Sequence, residues 1–265
     1  MNKRFVKAAS LLLALLMTVL CLAGCGSGEK GYDYQFSAPE EGETIAILHT
    51  SMGDVTVRFF EDEAPKAVEN FVTHAKNGYY DGVEFFRVIE DLVQSGDPEN
   101  TGKGGESIWG EYFEDEIVDY LSPYYGALCM ANKGVNKNES QFFIVTAKDT
   151  DTSKVEICNE TAAKAEKVAE EKIKMYQEKG GAMWLDAQIG TLYETNFIYH
   201  ATRHTVFGQV LEGMDVVEAI SQVDTYSAVE ETEATIDDPG QTQILENKPE
   251  EAVIIESIEI TTYNK

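Results

Sequence analysis

The stretch FFRVIEDLVQSGD, residues 85–97, decides the fold that this sequence predicts. Phe85, Val88 and Ile89 are apolar residues that suit a β-strand, and they surround a single arginine, Arg87. An isolated arginine in such a run is usually a surface residue at a strand edge. Arg87 therefore becomes informative only through the segments that accompany it along the chain.

Around this stretch the chain carries many short strand-like runs and only two core helices. Residues 44–50 and 55–59 flank turn-forming residues and predict an antiparallel hairpin. A helical period begins at Pro65 and ends before Gly78, and a second amphipathic helix is predicted over residues 214–223. This pattern predicts a closed barrel or a sandwich. The other strand candidates are residues 83–89, 127–131, 142–146, 205–210 and 253–260.

Three further segments accompany FFRVI in a fixed order. They are GGESIWG (104–110) leading to FEDE (113–116), MAN (130–132) with NESQFFI (138–144), and HTVFG (204–208). Together these segments resemble the cyclophilin family over most of residues 45–223. The resemblance implies a mainly β fold, namely a closed eight-stranded antiparallel β-barrel capped by two α-helices. It also implies a surface groove that binds proline-containing polypeptides.

Two insertions interrupt this pattern, at about residues 152–203 and 225–251. The first contains a helical segment over residues 161–179 with a narrow apolar stripe among Glu and Lys, which predicts a helical excursion packed on the flank of the barrel. The second is acidic and Thr-rich and predicts a long surface loop.

The activity that the resemblance implies is that of a peptidyl-prolyl cis-trans isomerase, or rotamase. An X-Pro bond interconverts over a barrier of about 18 to 20 kcal/mol through a twisted state, so no nucleophile and no cofactor is required. In that state the prolyl nitrogen regains a lone pair, and a fixed donor aimed at it stabilises the transition state. Arg87 matches the arginine to which the family assigns this role.

The substrate groove is expected on one face of the NESQFFI strand. Phe143 would form the floor of the proline pocket, and Gln141 would hydrogen-bond the substrate backbone. Ala131 and Asn132 would line the groove and pair with the residue before proline. Strand alternation puts Gln141 and Phe143 on one face of the strand and Phe142 and Ile144 on the other. The face with Phe142 and Ile144 is interpreted simply as part of the hydrophobic core.

The segment after Arg87 departs from the family, because it has one residue fewer before Gly96-Asp97. Leu92 then stands where an aromatic residue is usual, Val93 near the pocket methionine and Gln94 near the groove glutamine. A smaller proline pocket with weaker binding is the expected consequence.

The groove wall departs as well. Trp184 and Leu185 match the tryptophan and leucine of that wall, and His204 matches its histidine, but an insertion over residues 187–203 separates them. Trp184 is therefore equally well interpreted as an apolar anchor for the insertion.

The N-terminus predicts a lipoprotein signal peptide over residues 1–24, since a basic start precedes an apolar run too short to span a bilayer. LAGC at residues 22–25 resembles the bacterial lipobox, which makes Cys25 a lipid anchor at the outer face of the cell membrane. Residues 25–43 are predicted to be a flexible tether, and residues 44–265 the cyclophilin-like domain.

Composition excludes some partners. The net charge of -26 disfavours nucleic acid. Cys129 and Cys158 have no metal-ligand spacing, so no metal site is expected, and a buried thiol at Cys129 is favoured over a disulfide between them. We expect a monomer. The alternatives to an enzyme are a proline-peptide-binding or holdase module without turnover and a structural scaffold of the envelope.

Overall fold

The computed structural model describes residues 30–148, 170–186, 204–226 and 246–265. The strands of this part are β1 (Thr44–Thr50), β2 (Gly53–Phe59), β3 (Arg87–Ile89), β4 (Leu92–Ser95), β5 (Ala127–Asn132), β6 (Asn138–Val145), β7 (Val206–Glu212) and β8 (Ile255–Thr262). Its α-helices are α1 (Pro65–Lys76), α2 (Glu170–Lys179) and α3 (Met214–Ser221), and 3-10 turns lie at Tyr32–Phe36 and Met183–Leu185.

The eight strands form one antiparallel sheet in the order β3-β4-β6-β5-β7-β2-β1-β8. The sheet curls into a half-barrel, and the expected closed barrel is not confirmed. The strand predicted over residues 83–89 is a strand only at Arg87–Ile89, so β3 and β8 do not pair with each other. Main-chain hydrogen bonds join the two ends instead, from Phe85 N to Val253 O and from Ile255 N to Val83 O, each 2.8 Å long.

Side chains alternate between the two faces of the sheet and build two apolar clusters. The inner cluster includes Val93, Phe142 and Ile144, together with the apolar sides of α1 and α3. Phe71 of α1 lies at its centre, with ring centroids 5.2 Å from Phe142 and 5.5 Å from Phe207. Both predicted core helices therefore cap the inner face of the sheet.

The outer cluster lies on the opposite face of the same strands. It contains Leu92 from β4, Phe143 from β6 and Leu185 from the second 3-10 turn, together with Phe60, Leu121, Ala127, Cys129, Val145, Ala147, Ala182 and Val206. Partly buried side chains, including those of Tyr34 and Ala131, pack against it. This outer cluster supports the candidate site.

The N-terminal segment differs from the predicted tether. Residues 32–36 form a 3-10 turn, and the Gln35 side chain is fully buried, where its amide donates to Ser122 O at 3.0 Å and to Gln209 Oε1 at 2.9 Å. Arg58, only 2% exposed, donates from Nη2 to Glu43 at 3.3 Å. The packed part of the domain thus begins near Tyr32, because aromatic and amide side chains of this Gly- and Glu-rich segment bind the sheet.

Some expectations fall on residues outside the described part. These are the signal peptide, Cys25, Cys158, the start of the predicted 161–179 helix, and most of both insertions. None of the helices described in the structure has the length and apolar character needed to cross a membrane.

Candidate functional site

A chain of hydrogen bonds links Arg87 to the middle of the sheet. Strand pairing sets Arg87 beside Gln94, and Gln94 beside Phe143. The Arg87 guanidinium donates from Nη1 to Gln94 Oε1 at 3.0 Å, and Gln94 Nε2 donates to Gln141 Oε1 at 2.9 Å. Gln94 is 8% and Gln141 7% exposed, so both amides are held away from bulk water. We call Arg87, Gln94 and Gln141 the arginine relay.

The relay ends on a glycine-rich loop. Gln141 Nε2 donates to the carbonyl oxygens of Gly102, at 3.0 Å, and Gly104, at 2.9 Å. The fully buried Asp97 shapes this loop by accepting backbone N–H groups, among them those of Glu99 and Gly102. A Cβ at Gly104 would lie 2.2 Å from Asp97 Oδ1. Only glycine at this position therefore lets the loop lie so close to the carboxylate.

Burial lowers the pKa of the Arg87 guanidinium. An arginine titrates so far above neutrality that the group stays a cation through the physiological range. The relay therefore holds a permanent positive charge. The guanidinium donates from Nη1 to Gln94, and its other N–H groups take no part in that hydrogen bond.

The apolar half of the site lies beside the relay. Phe143 is 2% exposed, and its ring meets the His204 ring edge-to-face with centroids 5.2 Å apart. His204 Nδ1 donates to Met130 O at 2.9 Å, and burial lowers the pKa of this histidine, which favours the neutral ring. Leu92 and Leu185 complete the surroundings of Phe143.

A surface cleft of about 120 Å³ opens next to these groups. Its lining includes Gln94, Gln141, Ala131 and Asn132, with three residues that the sequence did not single out, Lys133, Lys137 and Glu139. The cleft therefore borders two members of the relay, Gln94 and Gln141, and its lining also contains charged side chains.

The structure brings most of the predicted site residues together and separates two of them. The relay, the apolar group and the cleft together hold Arg87, Gln94, Gln141, Leu92, Phe143, Leu185, His204, Ala131 and Asn132. Val93 lies on the opposite face of β4 in the inner cluster, where it is fully buried, because alternation from Gln94 turns it inward. Trp184 is half exposed and donates from Nε1 to Asp91 Oδ2 at 2.7 Å.

Sequence reasoning missed the parts of the site that depend on contacts between distant segments. Asp97 and Asp91 are the main examples, since each acts through hydrogen bonds to a loop or an insertion. The only signal in the sequence was the glycine-rich run after Asp97, which requires something to approach it closely.

A curled antiparallel sheet that carries a half-buried arginine, a cleft lined by amide side chains and an adjacent apolar cluster defines a class of peptide-binding β-barrel-like proteins. Residues 45–259 match the sequence model of one such family, described as "Cyclophilin type peptidyl-prolyl cis-trans isomerase/CLD". The chain belongs to this family of isomerases.

Relatives support this membership over nearly their whole length. A protein of Staphylococcus haemolyticus assigned as a peptidyl-prolyl cis-trans isomerase is 42% identical over 223 residues, which cover 83% of this chain and 93% of that protein. A Staphylococcus aureus protein with the same assignment is 40% identical over the same shares.

Solved structures of the same fold include the cyclophilin type peptidyl-prolyl cis-trans isomerase of Cryptosporidium parvum, with a TM-score of 0.53 and 25% identity over 83% of this chain and 99% of that chain. The same protein was also crystallised in the presence of the dipeptide Ala-Pro, and that structure gives a TM-score of 0.52.

Proposed function

We propose that this isomerase rotates X-Pro bonds in the cleft beside the arginine relay, and that its substrates are exported polypeptides at the outer face of the cell membrane. The observation that carries the proposal is the hydrogen bond from Arg87 to Gln94 at the edge of that cleft. This bond fixes the direction of a cationic donor beside the cleft, and Phe143, which pairs with Gln94 on the adjacent strand, provides an apolar side chain next to it.

Arg87 lowers the barrier by acting on the twisted state. Loss of amide resonance returns a lone pair to the prolyl nitrogen, and a guanidinium donor already aimed at that position needs no reorganisation when the pair appears. Because the planar ground state offers no such acceptor, the interaction favours the transition state and raises kcat. Gln94 keeps the guanidinium oriented, and Gln141 keeps Gln94 oriented.

Phe143 supplies the apolar contact for the proline ring. Its exposed fraction is only 2%, so a proline ring reaches it only when the side chains that cover it change rotamer. This cover and the leucine at position 92 support the expectation of a tight pocket with weak ground-state binding. The Ala-Pro dipeptide used with the Cryptosporidium protein supports a short X-Pro segment as the recognised unit.

Cys25 would hold the domain at the membrane after lipidation, and the packed domain begins about seven residues later in the sequence, at Tyr32. Such a short connection would keep the groove of a monomer near the emerging chain, where slowly isomerising prolines limit folding. Replacing Cys25 with serine should move the protein from the membrane fraction to the medium. Membrane retention of that variant would contradict the anchoring.

The activity itself is tested by cis/trans exchange of a short X-Pro peptide, with wild type, Arg87→Ala and Arg87→Lys compared. Arg58, a buried arginine of β2 that donates to Glu43, provides the matched control as Arg58→Lys, which should lower stability and not the rate. Unaccelerated exchange with wild type would refute turnover and leave a proline-peptide-binding module. Full activity in Arg87→Ala would refute the role of the arginine.

A further inference from the structure

The helix α2, which belongs to the inserted segment, buries a lysine. Lys172, Ile173 and Tyr176 face the domain, and the Lys172 side chain is 2% exposed. Its Nζ lies 3.4 Å from Asp186 Oδ2, and the Asp186 side chain is also 2% exposed. The Tyr176 hydroxyl donates to the same carboxylate oxygen at 2.8 Å.

A buried ion pair is poor evidence for stability, because removing two charges from water costs several kcal/mol per ion and the attraction between them repays this only with good geometry. An apolar pair of similar volume would often hold the helix as well. Such a pair does fix geometry, since moving either partner leaves a buried charge without compensation. The informative question is therefore which part of the fold the pair fixes.

Asp186 directly follows the 3-10 turn Met183–Leu185, so the pair holds the end of that turn. Leu185 packs in the outer cluster with Phe143 and Leu92. Trp184 donates to Asp91 in the connection between β3 and β4. The turn therefore contacts the apolar floor of the groove on one side and the connection after Arg87 on the other.

The start of the turn is fixed as well. Ala182 N donates to Pro123 O at 2.9 Å, and a Cβ at Gly181 would lie 2.7 Å from that oxygen, so the main chain lies directly on residue 123. With its start held by the main chain, the turn is oriented by what holds its end. A small cavity is lined both by the ion pair, Lys172 and Asp186, and by the groove residues Leu185 and His204, so the two groups border the same space.

We infer that Lys172 is a positioning residue of the isomerase: paired with Asp186, it orients the turn that holds Leu185 against the floor of the proline pocket. The inserted helix is then a supporting part of the groove wall. This inference rests on the proposed function for its kinetic consequences, whereas its structural consequence concerns the turn alone.

The test compares Lys172→Met with Lys174→Met in a Trp109→Phe background, where Trp184 is the only tryptophan of the chain. Lys174 lies on the same helix with its side chain 70% exposed and serves as the matched control. We expect Lys172→Met to raise KM for an X-Pro peptide about tenfold with kcat changed less. Acrylamide quenching of Trp184 should increase in that variant, and Lys174→Met should match the parent protein in both measurements.

A folded Lys172→Met with unchanged KM and unchanged quenching would overturn the inference. Should that variant fail to fold, the double variant Lys172→Met/Asp186→Asn decides the question, because it removes both charges and keeps an acceptor for Tyr176. Wild-type KM and quenching in the double variant would overturn the positioning role. Raised values of both would support it. If the parent protein shows no isomerase activity, the proposed function fails, while the quenching comparison still reports whether Lys172 orients the turn.

Discussion

Replacing Gln94 with leucine should remove most of the isomerase rate while leaving the sheet folded. The side chain of Gln94 accepts from Arg87 and donates to Gln141, so the replacement breaks the relay at its centre. Leucine has a similar volume, and the neighbouring Leu92 and Phe143 already provide an apolar environment on that face. Arg87 would keep its charge and lose the acceptor that aims it.

The magnitude follows from the bond that is lost. A hydrogen bond that involves a charged group contributes about 1.5 to 3 kcal/mol, against about 0.5 to 1.5 kcal/mol for a neutral one. If the orientation of Arg87 matters only in the twisted state, the first figure is removed from transition-state stabilisation, which lowers kcat/KM by roughly 10- to 100-fold. The bond to Gln141 should contribute chiefly to stability.

The assay is a double-mutant cycle measured by cis/trans exchange with wild type, Gln94→Leu, Arg87→Ala and the double variant. We expect the double variant to be no slower than Arg87→Ala, because Gln94 acts through the arginine. Gln209→Leu is the matched control, since Gln209 is 6% exposed in β7 and bonds Gln35, so it should cost stability and not rate. Equal losses from Gln94→Leu with and without Arg87 would refute the relay.

Three other consequences concern titration and reactivity. Burial lowers the pKa values of His74 and His204, so on acidification the unfolded state takes up protons before the folded state does. The free energy of unfolding should therefore fall as the pH drops below about 6.5, which urea titrations at two pH values can measure. An equal fall in a variant that lacks both histidines would contradict this. The isomerase rate should be flat between about pH 7 and 9, because Arg87 does not titrate there, and a bell-shaped profile would argue for an acid or base. Burial raises the pKa of the Cys129 thiol, so a variant in which Cys21, Cys25 and Cys158 are replaced by serine should react with maleimide only after unfolding, and fast labelling in native buffer would contradict the packing.

Local alternation was enough to predict the most regular part of the site. Phe142 and Ile144 lie in the inner cluster, and Phe143 lies on the other face in the outer one, as the two-residue period of β6 requires. Gln141 shares the cleft with Asn132, which comes from the adjacent strand. These features depend on neighbours along one strand or one hairpin, and such neighbours can be counted in the sequence.

The remaining features depend on contacts that no period encodes. Lys172 lies among the Glu and Lys residues of a helix for which the sequence predicts only a narrow apolar stripe against the barrel, yet its side chain is buried beside Asp186, which follows the second 3-10 turn. Residues 32–36 follow a Gly- and Glu-rich run that indicates a tether, yet the Gln35 amide donates to Ser122 and Gln209 and accepts the backbone N–H of Ser122. In both places the burial of a polar side chain is explained only by its hydrogen-bond or ion-pair partner on another segment. The sequence of the segment itself is therefore not sufficient to predict that burial.

The missing residue after Arg87 illustrates where a departure from the family can be absorbed. A deletion within a strand would turn every following side chain to the other face. In this chain Ile89 pairs with Leu92, so Glu90 and Asp91 form the whole connection between β3 and β4. The shortening that the resemblance predicts would fall in that connection, since Arg87 pairs with Gln94.

The connection between β3 and β4 also bears on the rim of the pocket. Asp91 stands in the shortened connection, where its carboxylate accepts the indole N–H of Trp184. A polar contact therefore links the connection to the turn that Asp186 follows. Because the same turn places Leu185 in the outer cluster with Phe143, we expect that a change in the β3–β4 connection or in α2 alters substrate binding more than the aim of Arg87.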